Sequence, residues 1–66
     1  MNDESVFRFT AGILIRGGAR KMLEREKFEG LDIRWFEEKG LLESLFIVRG
    51  NTDHLKVIES IIHSYE

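Results

Sequence analysis

Leu41 to Arg49, reading Leu-Leu-Glu-Ser-Leu-Phe-Ile-Val-Arg, is the most apolar run in the chain. It is rich in β-branched and aromatic residues, has the length of an ordinary strand and is stopped by Gly50. Apolar residues fall on both of its faces: Leu42, Phe46 and Val48 on one, Leu41, Leu45 and Ile47 on the other. A strand with this pattern is covered on both sides or flanked by strands at both edges. The rest of the chain therefore has to build a small sheet with this strand at its centre.

The elements that could surround it follow from changes of period. Residues 1 to 5 are polar and expected to fray. From Val6 to Ile15, Phe7, Phe9, Ala11, Ile13 and Ile15 share one face, while Val6, Arg8, Thr10, Gly12 and Leu14 share the other. This period of two predicts a half-buried strand, with Gly12 marking a bulge or a close backbone approach. After Arg16-Gly17-Gly18 the period lengthens. Ala19, Met22, Leu23 and Glu26 line one side of a helix of about three turns, with Arg25 and Lys27 suiting its C-terminal dipole and Gly30 stopping it.

Leu31 to Glu38 alternates again, with Leu31, Ile33 and Trp35 on one face, and Lys39-Gly40 reads as a hairpin turn. The parity of that hairpin decides the core, because a one-residue slip exchanges the faces of a strand. An odd loop puts Glu43 beside Trp35. An even loop puts Leu42, Ser44, Phe46 and Val48 beside Leu31, Ile33 and Trp35. Burying an unpaired carboxylate costs several kcal/mol or more, so the even loop is expected. Beyond Gly50, Asn51 or Thr52 can cap a last helix whose stripe is Leu55, Ile58, Ile61, Ile62 and Tyr65.

The order is thus β-α-β-β-α. A right-handed crossover makes the first two strands parallel, and the third fits between them, antiparallel to both. The fold class expected is α+β: a two-layer sandwich with sheet order 1-3-2 and both helices on one face. The expected core face carries Phe7, Phe9, Ile13, Ile15, Leu31, Ile33, Trp35, Phe46 and Val48. The element order of residues 6 to 66 resembles a ferredoxin-like fold that stops before its last strand, and such a likeness implies architecture and no function.

Size and composition then narrow the functional classes. Sixty-six residues form one domain, 1–66, and a chain this short has marginal stability unless something adds to it. Absence of cysteine excludes disulfides and thiolate zinc sites, and two histidines nine residues apart on one helix, His54 and His63, point to opposite sides and cannot share a metal. Oligomerisation is the addition that remains. No apolar run approaches the roughly 18 residues of a membrane helix, and the N-terminus is unlike a secretory signal, so the default expectation is a cytoplasmic protein with no membrane association. A net charge of −2 gives no general reason to expect nucleic acid. The charge is uneven, with Arg8, Arg16, Arg20, Lys21, Arg25 and Lys27 against Glu24 and Glu26 in residues 5 to 27, and an acidic excess afterwards. Such asymmetry can let two copies attract each other.

Catalytic chemistry finds little purchase. Glu37, Glu38 and Glu43 gather at a hairpin, where neither a cleft nor a shifted pKa is expected, and no Ser/His/Asp or Cys/His set with predictable geometry exists, since there is no cysteine and both histidines fall on the last helix. The central strand lacks the aromatic signature of an RNA-recognition motif, leaving Phe36 as the single aromatic on the open face. The one local feature suggestive of a ligand is Arg16-Gly17-Gly18-Ala19-Arg20-Lys21. There, glycines between a strand and a helix could bring backbone N–H groups to an anion, with Arg16, Arg20 and Lys21 adding charge. It matches neither the dinucleotide fingerprint nor the P-loop, so a plain turn is the simpler reading. The leading expectation is a non-catalytic interaction or regulatory module without a cofactor, acting through protein contacts as a homo-oligomer such as a homodimer. Its interface would use Gly12, Leu14, Phe36, Leu45 and Ile47. The alternative is nucleic-acid or phosphate-ligand binding at the Arg16–Lys21 turn.

Overall fold

A computed structural model describes residues 4–64. The chain runs β1 (Glu4–Gly12), α1 (Arg16–Phe28), β2 (Ile33–Lys39), β3 (Glu43–Asn51) and α2 (Thr52–Ser64). The sheet order is β1-β3-β2, with β3 antiparallel to both neighbours. The apolar run is therefore central, and β1 and β2 are edge strands. This is the α+β arrangement expected from the sequence, a ferredoxin-like order without a fourth strand.

The hairpin is even. Lys39 pairs with Ser44, four residues intervene, and Trp35 lies opposite Val48. Phe7, Phe9 and Ala11 face Val48, Phe46 and Ser44 across the other ladder. Both helices cover this face. Met22 and Leu23 from α1 and Leu55 and Ile58 from α2 close a buried cluster with Ala11, Ile33, Phe46 and Val48. Phe46 is fully buried at its middle, stacked on Phe9 and tilted against Trp35, with ring centroids 5.1 and 5.9 Å away. Ile61 and Ile62 extend the α2 stripe, and Tyr65 lies outside the described residues.

Local chemistry accounts for the ends of both helices. Gly30, at φ 114°, follows α1; its N–H donates to the Lys27 carbonyl (3.2 Å) and that of Leu31 to Glu26 (3.1 Å). That pair of bonds is the Schellman arrangement, and it returns Leu31 to the core. Asn51 caps α2, its Oδ1 accepting from the N–H of Asp53 (2.9 Å) and His54 (3.3 Å).

Several expectations need correction. Strand β1 stops at Gly12, opposite Glu43, so Ile13 and Ile15 lie in a turn and are exposed instead of lining the core. The register is unbroken from Glu4 to Gly12, so Gly12 makes no bulge. Helix α1 begins a turn earlier than expected, at Arg16, which places Gly17 and Gly18 inside its first turn. Trp35 is half-buried, because it sits on an edge strand and turns its indole N–H outward to Glu24 Oε2 at 2.7 Å. Gly50 does not end β3. It lies within the strand at φ 153°, and a Cβ there would fall 2.1 Å from the Asp32 carbonyl oxygen and 2.9 Å from Ile33 Cα.

The glycines thus divide. At Gly50 a side chain collides with backbone that cannot yield, and its conformation is strained for any L-residue. Gly50→Ala should cost about 3 kcal/mol or more, enough to unfold much of a domain this small. At Gly18 a Cβ meets nothing within 4 Å. Gly18→Ala should instead stabilise by roughly 0.5–1 kcal/mol through helix propensity. Urea unfolding of the two variants checks both signs, and a destabilised Gly18→Ala would show that the first turn of α1 needs its glycine.

Candidate functional site

Two regions carry the side chains singled out from the sequence: the strand-to-helix turn and the sheet face turned away from the helices. The turn is built as follows. Ile13 N–H donates to the Leu42 carbonyl (2.9 Å) and Ile15 N–H to that of Gly12 (3.0 Å), so the β1–α1 turn is fastened to the β2–β3 hairpin. Gly40 closes the hairpin through its N–H to the Glu43 carbonyl (2.8 Å). Ile15 occupies the cap position of α1 without a side-chain bond, and the first turn contains no acidic residue.

The cations of this turn have different fates. Arg16 reaches back across the hairpin, donating to the Gly40 carbonyl (2.8 Å) and to Ser44 Oγ (3.4 Å). Arg20 forms a two-pronged pair with Glu37, Nε to Oε1 at 2.5 Å and NH2 to Oε2 at 2.8 Å. Ser44, fully buried, donates to Glu37 Oε2 at 2.6 Å. Arg16 and Arg20 thus serve the fold, and Lys21 remains exposed without a bonded partner among the described residues. Gly17 and Gly18 are exposed and open.

Among the described residues Glu37 is the one carboxylate whose acidity the structure changes strongly. The Arg20 guanidinium, then the Ser44 hydroxyl, hold its pKa at about 2 against an ordinary 4.5, while Glu37 in turn raises that of Arg20. This pairing engages both groups and anchors α1 to β2.

The open face consists of cross-strand rows. Glu4 and Asn51 form the first; Val6, Arg49 and Arg34 the second; Arg8, Ile47 and Phe36 the third; Thr10, Leu45 and Glu38 the fourth; Gly12 and Glu43 the last. Phe36 is 62% exposed and Val6 is exposed, while Leu45 and Ile47 are half-buried. Arg34, Trp35, Phe36, Ile47 and Arg49 line a shallow groove reaching the β2 edge. Arg34 bridges to Glu4 at 2.8 Å across the top of the face. Arg8 and Arg49 have no hydrogen-bonded or ionic partner among the described residues, although Arg49 lies directly opposite Arg34. Like charges so placed repel. The face is therefore unevenly charged: Arg8, Arg34 and Arg49 outnumber Glu4, which pairs with Arg34, toward one end; Glu38 and Glu43 lie toward the other; and Val6, Phe36, Leu45 and Ile47 are its apolar residues.

Of the residues expected at an interface, Phe36, Leu45 and Ile47 share this face, with Gly12 at its end. Leu14 does not join them; the end of β1 at Gly12 puts it in the turn. Val6, Arg34 and Arg49 were not counted in the expected interface, although strand parity places all three on this face. His54 has a role that its spacing concealed: its Nδ1 accepts the Asp32 N–H at 2.7 Å, tying α2 to the chain just before β2. Among the described residues no group of three or more His, Cys, Asp or Glu side chains could hold a metal ion, and no helix is long and apolar enough to cross a membrane. Compared with protein families, curated proteins and solved structures, the chain matches none.

The Glu37 anchor has a defined pH dependence. A folded-state pKa below the unfolded one contributes stability fully above pH 4.5, and that contribution disappears as pH falls through about 2. Wild type should exceed Glu37→Gln in stability by a constant margin near neutrality, and the margin should close between these limits. Denaturant titrations at stepped pH measure it; a margin at pH 2 as large as that at neutrality would mean that ionised Glu37 is not the anchor.

Proposed function

We propose that the protein is a small non-catalytic interaction module that acts as a homodimer, two copies stacking through their open sheet faces. The observation that supports this reading most is the sorting of charge along that face around an apolar middle. A two-fold axis lying in the interface and perpendicular to the strands reverses the partner's strand direction. The basic end of one copy then lies over the acidic end of the other, and the apolar middles meet. A self-complementary patch is what a two-fold interface requires. Cross-subunit acids would also relieve the Arg34–Arg49 repulsion. Burying Phe36 and Val6 adds apolar area that the single copy leaves wet, roughly 25 cal/mol per Å² removed from water. For a chain of 66 residues this is a useful supplement.

Molar mass by light scattering over a dilution series tests the reading. Wild type should be dimeric at high micromolar concentration, and Phe36→Lys should be a folded monomer. Arg49→Glu should weaken the dimer, and Arg49→Glu combined with Glu43→Arg should restore it, because the swap re-creates opposite charges across an antiparallel interface. A wild-type monomer throughout would end the proposal, and no restoration would reject its orientation.

A second reading, nucleic-acid or phosphate binding at Arg16–Lys21, is favoured by the uncapped first turn of α1 with its two open glycines and the free Lys21. The engagement of Arg16 with Gly40 and of Arg20 with Glu37 weighs against it. Binding to mixed nucleic acid at low salt, falling steeply as salt rises, would favour it; absence of binding at low salt would remove it.

A further inference from the structure

The two edges of the sheet differ in what they leave free. Bonds from the Asn51 N–H to the Asp32 carbonyl (3.1 Å) and from the Gly40 N–H to that of Glu43 (2.8 Å) bracket the ladder between β2 and β3. Bonded residues alternate along an antiparallel ladder, so Arg34, Phe36 and Glu38 bond β3, while Trp35 and Glu37 turn their backbone groups outward. Helix α1 reaches both of these residues, through Glu24 to Trp35 and Arg20 to Glu37. In β1 the Ile13–Leu42 bond (2.9 Å) sets the alternation: Ser5, Phe7, Phe9 and Ala11 bond β3, and Val6, Arg8 and Thr10 turn N–H and C=O to the outside. No backbone group among the described residues pairs with them. Sheets protect such an edge with a short strand, a proline, a lysine or a bulge. Strand β1 has nine residues, an unbroken register and neither lysine nor proline.

We propose that the β1 edge takes an extended segment of a partner protein as a fourth strand, antiparallel to β1, in which apolar and polar residues alternate and a carboxylate lies opposite Arg8. The backbone specifies the first part. A row of unpaired donors and acceptors is matched by another strand, whose own groups repeat at the same spacing, and antiparallel pairing is slightly the more stable.

The side chains specify the second part, because residues directly opposite each other share a face. Phe7 and Phe9, on the helix side, are only half-buried and leave ring surface for apolar neighbours. Arg8, on the other side between Val6 and Thr10, is exposed and has no hydrogen-bonded or ionic partner among the described residues. A second copy suits this pattern poorly: pairing Glu4–Gly12 with itself along its whole length about a two-fold axis sets Arg8 against Arg8. The edge is distinct from the stacked open face, so this partner site goes beyond the proposed dimer.

Titration of the full chain with acetyl-Thr-Val-Glu-Val-Thr-amide, followed by nuclear magnetic resonance, tests the proposal. The amides of Val6, Arg8 and Thr10 should shift. The same peptide N-methylated at its Glu, the residue that would bond the Arg8 backbone, should leave them unmoved, and a peptide with Lys in place of that Glu should bind roughly threefold or more weakly. Thr10→Pro removes an outward N–H and spares the ladder to β3, so it should keep the circular dichroism of wild type and bind roughly fivefold or more weakly. Phe36→Lys, which addresses the stacked face, should bind the peptide as wild type does, so failure of the dimer and failure of this site are read apart. No shift in wild type at millimolar peptide would overturn the proposal, and so would equal binding of the N-methylated peptide. If Thr10→Pro lowers the molar mass in the absence of peptide, the edge pairs with a second copy and the partner assignment fails.

Discussion

Four polar side chains hold the first turn of α1 to the end of the sheet. Ser44 is fully buried on the central strand and donates a hydrogen bond to Glu37 on the edge strand; Glu37 grips Arg20; Arg16 spans from the helix start to Ser44 and the Gly40 carbonyl. Helix α1 buries only Met22 and Leu23, and near its start Gly17 and Gly18 are exposed and Ala19 is half-buried. Apolar packing alone would leave that turn loosely anchored. The network works because it is complete: among the described residues no buried side-chain polar atom lacks a partner. A half-satisfied network in the same place would be worse than an apolar one. Ala11 opposite Ser44 leaves room for this polar joint where a larger residue would fill it.

That joint also explains which parts of the fold were legible in the sequence. Alternation and hairpin parity were enough to place Phe46, Val48 and Ser44 on the helix side and Phe36, Leu45 and Ile47 on the other. They follow from a local period of two and one large energetic asymmetry, the burial of Glu43. The Gly30 stop and the Asn51 cap are local as well. The misjudged boundaries depend on distant partners. Alternation continues through Ile15, but the ladder ends where β3 begins, at Glu43, and beyond it the pattern has nothing to pair with. Gly17-Gly18 reads as punctuation by propensity, yet the bonds of Arg16 and Arg20 to β2, β3 and the intervening hairpin support helix there.

Gly50, Trp35 and His54 show the same limit from the side of contacts. Nothing near Gly50 in sequence reveals that Asp32 occupies the space of its missing side chain. Trp35 finds Glu24 eleven residues earlier, and His54 finds Asp32 twenty-two residues earlier. These are properties of how elements meet, and single-sequence periodicity carries no signal for them. The open face was partly legible: its apolar residues follow from parity, whereas its sorting into basic and acidic ends emerges once the register puts Arg34 against Arg49 and Gly12 against Glu43.

The core of this chain is complete without its most exposed residues. Ala11, Met22, Leu23, Ile33, Phe46, Val48, Leu55 and Ile58 bury one another, and Phe7, Phe9, Leu31, Trp35, Ile61 and Ile62 seal the rim. Ile13, Leu14, Ile15, Leu41 and Leu42 take no part in that cluster. Their turns are shaped by backbone bonds and by Arg16, which polar side chains at those five positions would leave intact. Apolar residues there contribute little to folding and lower solubility, a cost that weighs more on a chain with marginal stability to begin with. The open face differs, because its apolar residues are also strand formers that the sheet itself favours. The two surfaces are thus separable by physics as well as by position: the apolar residues of the face contribute to the sheet that carries them, and those of the tip lie outside both the sheet and the core.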